Sequence, residues 1–265
     1  MKITFIGAGN MAEAIIAGII KNKKISEEEI TISDISQERL DYMKQTLGVK
    51  LAANNTDAVK DAEVVVLAIK PQVFDNVWES LQASIPSSAL IISIMAGISS
   101  DKIESGSKRK VVRVMPNTPS LIGEGASGVA PGKYALDEDM KIALDLMSAC
   151  GLALEFSEEQ LHAVTALSGS GPAYIFYFIE AMRDAGIELG LSDEQANLLA
   201  TATVSGAGKM AQISNVSSEE LRNRVTSKGG TTAAAINLLD EQKIKDTIYA
   251  AMNAAYNRSK ELGES

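Results

Sequence analysis

Chemistry in this chain has to come from glycine turns, hydroxyls and a few carboxylates, because it holds one histidine, His162, and one cysteine, Cys150. A Ser-His pair would have to use His162, and a lone His in a helical stretch is more often structural or exposed. The first promising feature is Gly7-Ala8-Gly9-Asn10-Met11-Ala12. It is weak as a string, but here it follows a strand-like start and opens an amphipathic stretch, the context of a dinucleotide-binding turn. Gly7 would permit the tight turn, Gly9 would let a pyrophosphate approach the backbone, and Ala12 would keep the following helix close to its strand. Free N–H groups and the positive helix end then bind the anion without a basic side chain. Asp34 follows the second strand-like run, where a carboxylate accepts hydrogen bonds from adenosine ribose hydroxyls and repels a 2′-phosphate. Arg39 is the first arginine after it, so the cofactor expected is NADH or NADPH with a lean to NADH. The bland alternative is that Asp34 only caps a turn, leaving Ser33 and Ser36 to host a phosphate.

Further polar groups fall where buried strands should end. Ala68-Ile69-Lys70-Pro71 closes one such run, and Ala96-Gly97 follows Ile91–Met95. Ligands of open α/β sheets sit beyond the carboxyl ends of the strands. Asn55 and Asn117 are read as residues of strand-end loops, with an ordinary turn-forming role as the competing explanation. Later, Leu167-Ser168-Gly169-Ser170-Gly171-Pro172-Ala173-Tyr174 is a Ser/Gly break with Pro172 suited to a first helical turn. Thr226-Ser227-Lys228-Gly229-Gly230-Thr231-Thr232 is a second glycine turn opening a helix, a backbone site suited to a carboxylate. Either of these loops could equally be a linker.

These residues need a frame. Short apolar runs alternate with amphipathic stretches: strands over Lys2–Gly7, Ile30–Ser33, Val49–Leu51, Glu63–Ile69, Leu90–Met95, Lys110–Met115 and Leu152–Phe156. Helices are expected over Asn10–Lys21, Gln37–Leu47, Val73–Ser84, Ser100–Glu104 and Asp137–Cys150. Alternation of this kind makes a mostly parallel sheet with helices on both faces. Around Pro116–Pro119 and Gly123–Gly125 the pattern reads as turns. From Ser157 on strands stop and helices follow: His162–Leu167, Pro172–Leu189, Asp193–Ala211, Ser218–Val225, Thr231–Leu239 and Ile244–Leu262. The expected fold is therefore α/β: an N-terminal Rossmann-type doubly wound sheet (residues 1–158) followed by an all-α dimerisation domain (residues 159–265). Ala and Gly at helical spacing in the second half, such as Ala196, Ala200 and Gly206, let helices approach closely. In a domain of only about a hundred residues, long helices with apolar faces often find partners in a second subunit, the alternative being a self-contained bundle.

Composition narrows the class. The 265 residues are 46% hydrophobic with a net charge of −9, which argues against nucleic acid and anionic membranes as partners. No apolar run approaches the ~18–20 residues that cross a bilayer. A strand starting at Lys2 leaves no room for a signal peptide, so a cytoplasmic protein is expected. One cysteine gives no intrachain disulfide, and no metal-ligand spacing is present, so no metal is expected.

Taken in order, Phe5-Ile6-Gly7-Ala8-Gly9-Asn10-Met11, Ala68-Ile69-Lys70-Pro71, Val114-Met115-Pro116-Asn117-Thr118-Pro119, Leu167–Tyr174 and Gly229-Gly230-Thr231-Thr232 resemble the landmarks of the pyrroline-5-carboxylate reductases. Leu221–Asp240 resembles that family's C-terminal signature. The resemblance runs over nearly the whole chain. It implies the last step of proline biosynthesis, hydride transfer from NAD(P)H to the C=N carbon of L-1-pyrroline-5-carboxylate. It implies an interleaved helical homodimer and a decamer of five dimers. It places the cofactor on Ile6, Gly7, Ala8, Gly9, Asn10, Met11, Asp34, Asn55, Ala68, Ile69, Lys70, Pro71, Ala96 and Gly97. The substrate carboxylate falls to Ser227, Gly229, Gly230 and Thr231, and the ring nitrogen to Thr232, the implied catalytic residue. In an interleaved dimer this loop serves either its own subunit's cofactor or its partner's.

Two positions depart from the family pattern. Lys228 stands where relatives often carry Pro, giving a looser or more cationic loop. Asp34 stands where many carry a small hydroxyl or a residue tolerant of the 2′-phosphate. Two other readings compete. A β-hydroxyacid-dehydrogenase-like enzyme shares the two-domain plan but needs a basic Lys early in the long helix, and no Lys lies between His162 and Arg183. A redox sensor would hold the cofactor without turning it over, and would leave the second glycine turn unexplained.

Overall fold

The computed structural model describes residues 1–264 of the chain. The chain separates into two compact units: one is Met1–Ser170 with the residues from Ala255 on, the other Gly171–Ala254. In the first unit the chain runs β1 (Ile3–Ile6), α1 (Asn10–Lys21), β2 (Ile30–Ser33), α2 (Gln37–Leu47), β3 (Lys50–Leu51), α3 (Asn55–Val59), β4 (Val64–Leu67), α4 (Phe74–Leu81) and β5 (Leu90–Ser93). It continues through α5 (Ser100–Glu104), β6 (Lys110–Met115), β7 (Gly125–Pro131), α6 (Asp137–Ser148), β8 (Gly151–Glu155) and α7 (Leu161–Val164).

The eight strands form one sheet in the order β3-β2-β1-β4-β5-β6-β7-β8. Every pairing is parallel except β6–β7. Strands that bury both faces read as continuous apolar runs, and Val64-Val65-Val66-Leu67 is such a run. The two faces carry separate cores. Ile15, Ile16 and Ile19 of α1 pack on one with Phe5 and Val66, and Phe74, Trp78 and Leu81 of α4 pack on the other with Ile6 and Val65. This is the expected doubly wound sheet. The chain reverses direction across the sheet between β1 and β4, and that crevice is where such folds bind ligands.

The sequence reading differs from the structure in four places. β7 was absent from the expected strands, its glycines being read as turns. Asn55 does not lie in a loop: it is the first residue of α3, capped by Asn54, whose side chain accepts from the Asp57 N–H. The expected helix over Val73–Ser84 is α4 flanked by 3₁₀ turns at Pro71–Val73 and Gln82–Ser84. After α7 the helix widens into a π turn at Thr165–Gly169, within the Ser/Gly break.

The second unit is wholly helical: α8 (Gly171–Glu188), α9 (Asp193–Ile213), α10 (Ser218–Arg224), α11 (Thr231–Glu241) and α12 (Ile244–Glu264), the last continuing into the first unit. Ser192 and Gln195 form a reciprocal capping box at the start of α9. Ala196 and Ala200 are buried in this unit, while Phe176, Tyr177, Leu198, Leu199, Met210, Ile213 and Tyr249 are exposed. Among the described residues no helix is long and apolar enough to cross a membrane.

Candidate active site

The first cluster of candidate residues gathers at the carboxyl ends of β1, β2, β4 and β5. Ile6 is buried at the end of β1, and Gly7 to Met11 lead into α1. Gly7 has φ +107°, and a Cβ there would lie 2.5 Å from the Ala68 carbonyl oxygen. Glycine is therefore required both by the backbone angle and by the approach of the loop to the end of β4. Around Gly9 an added Cβ would meet nothing within 4 Å, so open space faces the loop. Gly9 caps α1 with no side-chain hydrogen bond, which leaves the helix's first N–H groups for an anion. These features fit a dinucleotide pyrophosphate.

Asp34 follows β2. Its Oδ2 accepts the Ala8 N–H at 2.6 Å and its Oδ1 accepts the Ser36 N–H at 2.8 Å. The carboxylate thus ties the strand end to the glycine loop and also makes the turn before α2. The turn role and a ribose role are compatible, since each oxygen keeps a second acceptor site. Asn55 Oδ1 accepts from the Ser33 hydroxyl at 2.8 Å, which fixes the start of α3 to the end of β2. Ala68 donates its N–H to the Ile6 carbonyl at 2.8 Å, and Ile69, Lys70 and Pro71 follow at the same rim. Ala96 is exposed and Gly97 half-buried beyond β5.

The second cluster lies in the helical unit. Gly229 turns with φ +73°, the Gly230 N–H donates to the Ser227 carbonyl at 3.0 Å, and α11 starts at Thr231. Gly230 caps this helix without a side-chain hydrogen bond, so here too the leading N–H groups are open to a ligand. Ser227, Lys228, Gly229 and Thr231 are exposed and Thr232 is half-buried. The cofactor candidates and the substrate candidates therefore belong to different units.

Several polar residues outside these clusters are accounted for by partners. Asn117, buried, donates to the Ser168 carbonyl at 3.0 Å and accepts the Ala126 N–H at 2.8 Å. It holds the Ser/Gly break against the start of β7, a bridge that the turn reading did not foresee. His162 Nδ1 lies 3.0 Å from the Ser259 hydroxyl, and burial is the main cause pulling its pKa down. The Cys150 thiol is buried and pushed up to about 11 by desolvation, which makes it a poor nucleophile at neutral pH. Among the described residues no cluster of His, Cys, Asp and Glu could hold a metal.

Known proteins share this arrangement. Residues 158–262 match the family model for pyrroline-5-carboxylate reductase dimerisation, and residues 2–97 match that of the coenzyme F420-dependent NADP oxidoreductases. The pyrroline-5-carboxylate reductase of Methanosarcina acetivorans is 42% identical over 99% of this chain and 98% of its own. The chain belongs to the pyrroline-5-carboxylate reductase family. A pyrroline-5-carboxylate reductase structure from Coxiella burnetii superposes with a TM-score of 0.94 at 40% identity, covering 100% of this chain and 99% of its own. The pyrroline carboxylate reductase of Plasmodium falciparum, solved with NADP bound, has a TM-score of 0.88 at 32% identity, covering 99% of this chain and 98% of its own. The chain is thus an NAD(P)H-dependent oxidoreductase that reduces L-1-pyrroline-5-carboxylate to L-proline, the last step of proline biosynthesis. It carries the family's dimerisation region and acts as a homo-oligomer on a small-molecule substrate. Family membership sets aside the hydroxyacid dehydrogenase and sensor readings.

Proposed function

We propose that Thr232 is the catalytic hydroxyl of this reductase, and that Ser227, Gly229, Gly230 and Thr231 hold the substrate carboxylate. Ile6, Gly7, Ala8, Gly9, Asn10, Met11, Asp34, Asn55, Ala68, Ile69, Lys70, Pro71, Ala96 and Gly97 hold the cofactor. In this reading residues 1–158 serve the cofactor and residues 159–265 the substrate and the dimer. The observation that supports it is the opening of α11: a glycine cap with no side-chain partner, followed at once by two threonines. Helix-start N–H groups and the positive end of the helix dipole suit a carboxylate. Lys228, exposed beside Gly229, adds a cation to the same loop.

An imine carbon is electrophilic, more so when its nitrogen is protonated. Holding it in line then supplies much of the rate enhancement. The bound cofactor supplies the hydride. The loop fixes the carboxylate, and with it the ring. The Thr232 hydroxyl orients the ring nitrogen and relays a proton to it from water. No imidazole or thiol is needed. Thr232→Ala is expected to lower kcat about a hundredfold while NAD(P)H binding, followed by fluorescence titration, changes little. Unchanged turnover would remove Thr232 from the mechanism.

NADH is the preferred reductant in this proposal, because Asp34 stands where a 2′-phosphate would lie. The ratio of kcat/KM with NADH to that with NADPH tests it: the wild type favours NADH, and Asp34→Ser moves the ratio toward NADPH. A wild type that strongly favours NADPH contradicts the assignment. The proposal extends to a decamer of five dimers working in the cytoplasm. Sedimentation and cell fractionation check these two points.

A further inference from the structure

Arg39 is the one cation between Ser33 and Met43, the stretch that leaves β2 and enters α2. An extra 2′-phosphate carries roughly −1.5 to −2 charge near neutrality, and an arginine near the end of β2 is the usual way such folds accommodate it. The structure holds this arginine elsewhere. Its Nε donates to the Ala8 carbonyl at 2.9 Å, and its Nη2 donates to Glu13 Oε2 at 2.7 Å. Glu13 Oε1 in turn accepts from the Tyr42 hydroxyl at 3.0 Å, and the Arg39 guanidinium carbon lies 5.0 Å from the centre of the Tyr42 ring. Ala8 is thereby gripped at both ends, its N–H by Asp34 and its carbonyl by Arg39. The ion pair is part-buried, so its charges are less screened than a surface pair's.

We propose that Glu13 is a specificity-determining residue: with Tyr42 it holds Arg39 against the glycine loop and so withholds the nearby cation from the 2′-phosphate of NADPH. Asp34 excludes the phosphate by repulsion, and Glu13 excludes it by occupying its natural partner. Presenting the Nε/Nη2 edge of its guanidinium to the phosphate would cost Arg39 both its Ala8 and its Glu13 hydrogen bonds. Glu13 lies on the first turn of α1 and touches no reacting atom, so it acts as a positioning residue. The inference rests on the reading that Asp34 and the Gly7–Met11 loop hold the adenosine end of the cofactor.

The test compares wild type with Glu13→Gln, Tyr42→Phe and the double variant Glu13→Gln/Arg39→Met, measuring kcat/KM with NADH and NADPH. Inhibition by ADP-ribose and by its 2′-phosphate is measured alongside as a readout free of turnover. Glu13→Gln keeps the shape but removes the competing charge. It is expected to raise the NADPH-to-NADH ratio about tenfold, the scale of one charge-assisted hydrogen bond. The change should lie in KM for NADPH, with the same shift between the two ADP-ribose inhibitors. Tyr42→Phe, which loosens Glu13 without touching charge, should move the ratio the same way by less. The gain should vanish in Glu13→Gln/Arg39→Met. If the wild type favours NADH and neither single variant moves the ratio, the Glu13 proposal is wrong and the Asp34 assignment stands. A gain that survives in the double variant overturns it too, because Arg39 would not be its source. If the wild type favours NADPH, both readings fall, because the phosphate is then accepted with Asp34 and the Glu13–Arg39 pair in place.

Discussion

Two glutamates on the first unit have opposite electrostatic positions, and each predicts its own pH dependence. Glu104 is buried, its Oε2 has no hydrogen-bond partner, and burial pushes its carboxyl above the usual range. A raised folded-state pKa means that its protonated form favours the fold. That contribution is full below the unfolded pKa and is lost as pH rises through the folded one. Glu104→Gln is therefore expected to gain about 1 kcal/mol near neutrality, with the gain disappearing toward pH 4 in urea titrations. Glu158 feels burial too, but hydrogen bonds from the Ser100 backbone and hydroxyl and from Arg113 outweigh it and hold its carboxyl low. Its contribution is present above the unfolded pKa and is lost as pH falls through the lowered folded value. Glu158→Gln should cost about 1 kcal/mol near neutrality, allowing for its partial exposure, and its deficit should shrink in acid. Two variants with the same pH profile would contradict these assignments.

Elements meet more closely than their sequences suggest, and glycine marks where. Gly18 lies on α1 where a Cβ would stand 2.6 Å from the Cys150 sulfur and 2.8 Å from the Ala149 carbonyl oxygen. In an exposed helix Gly→Ala gains roughly 1 kcal/mol from propensity. Here Gly18→Ala is expected to destabilise by about 2 kcal/mol, because backbone cannot yield as a side-chain tip can. Chemical denaturation measures it, and a stabilised Gly18→Ala would mean that α1 sits farther from the turn before β8. Such contacts explain what could be read from the sequence. β4 and α1 were legible because two-sided burial and one-sided burial leave different apolar patterns. β7 was not, because Gly125-Ala126-Ser127-Gly128 has little apolar signal; its glycines sit at close contacts, where a Cβ on Gly125 would lie 2.8 Å from the Cys150 carbonyl oxygen and one on Gly128 2.8 Å from Val164 of α7. Asp34 and the Gly7 loop were legible as types at fixed spacing. The Asn117 bridge and the Glu13–Arg39–Tyr42 lock were not, because their partners are 51, 9, 26 and 29 residues away and no local pattern announces them.

At the scale of the whole molecule, the helical unit is short of core. A packed domain hides its large apolar side chains, yet here alanines are buried while Phe176, Tyr177, Leu198, Leu199 and Ile213 face outward. Large apolar side chains exposed in such number on one small helical unit mark an interaction surface. These residues lie within the matched dimerisation region, and the prediction is that they form the contact with a second copy. Burying such side chains is worth about 1.5–3 kcal/mol each, so the fold of this unit should depend on assembly. Folding is then coupled to association and the melting temperature becomes concentration-dependent. Thermal unfolding at protein concentrations spanning three decades is expected to show Tm rising with concentration. Leu198→Glu/Leu199→Glu should bring that dependence into a more concentrated range, as dimers dissociate earlier. The first unit, with its two closed cores, should respond less: the buried Cys150 thiol in the double variant should stay unreactive toward a disulfide reagent until the sheet itself unfolds. A Tm independent of concentration, with Leu198→Glu/Leu199→Glu unchanged in sedimentation, would show that these leucines lie outside the dimer contact.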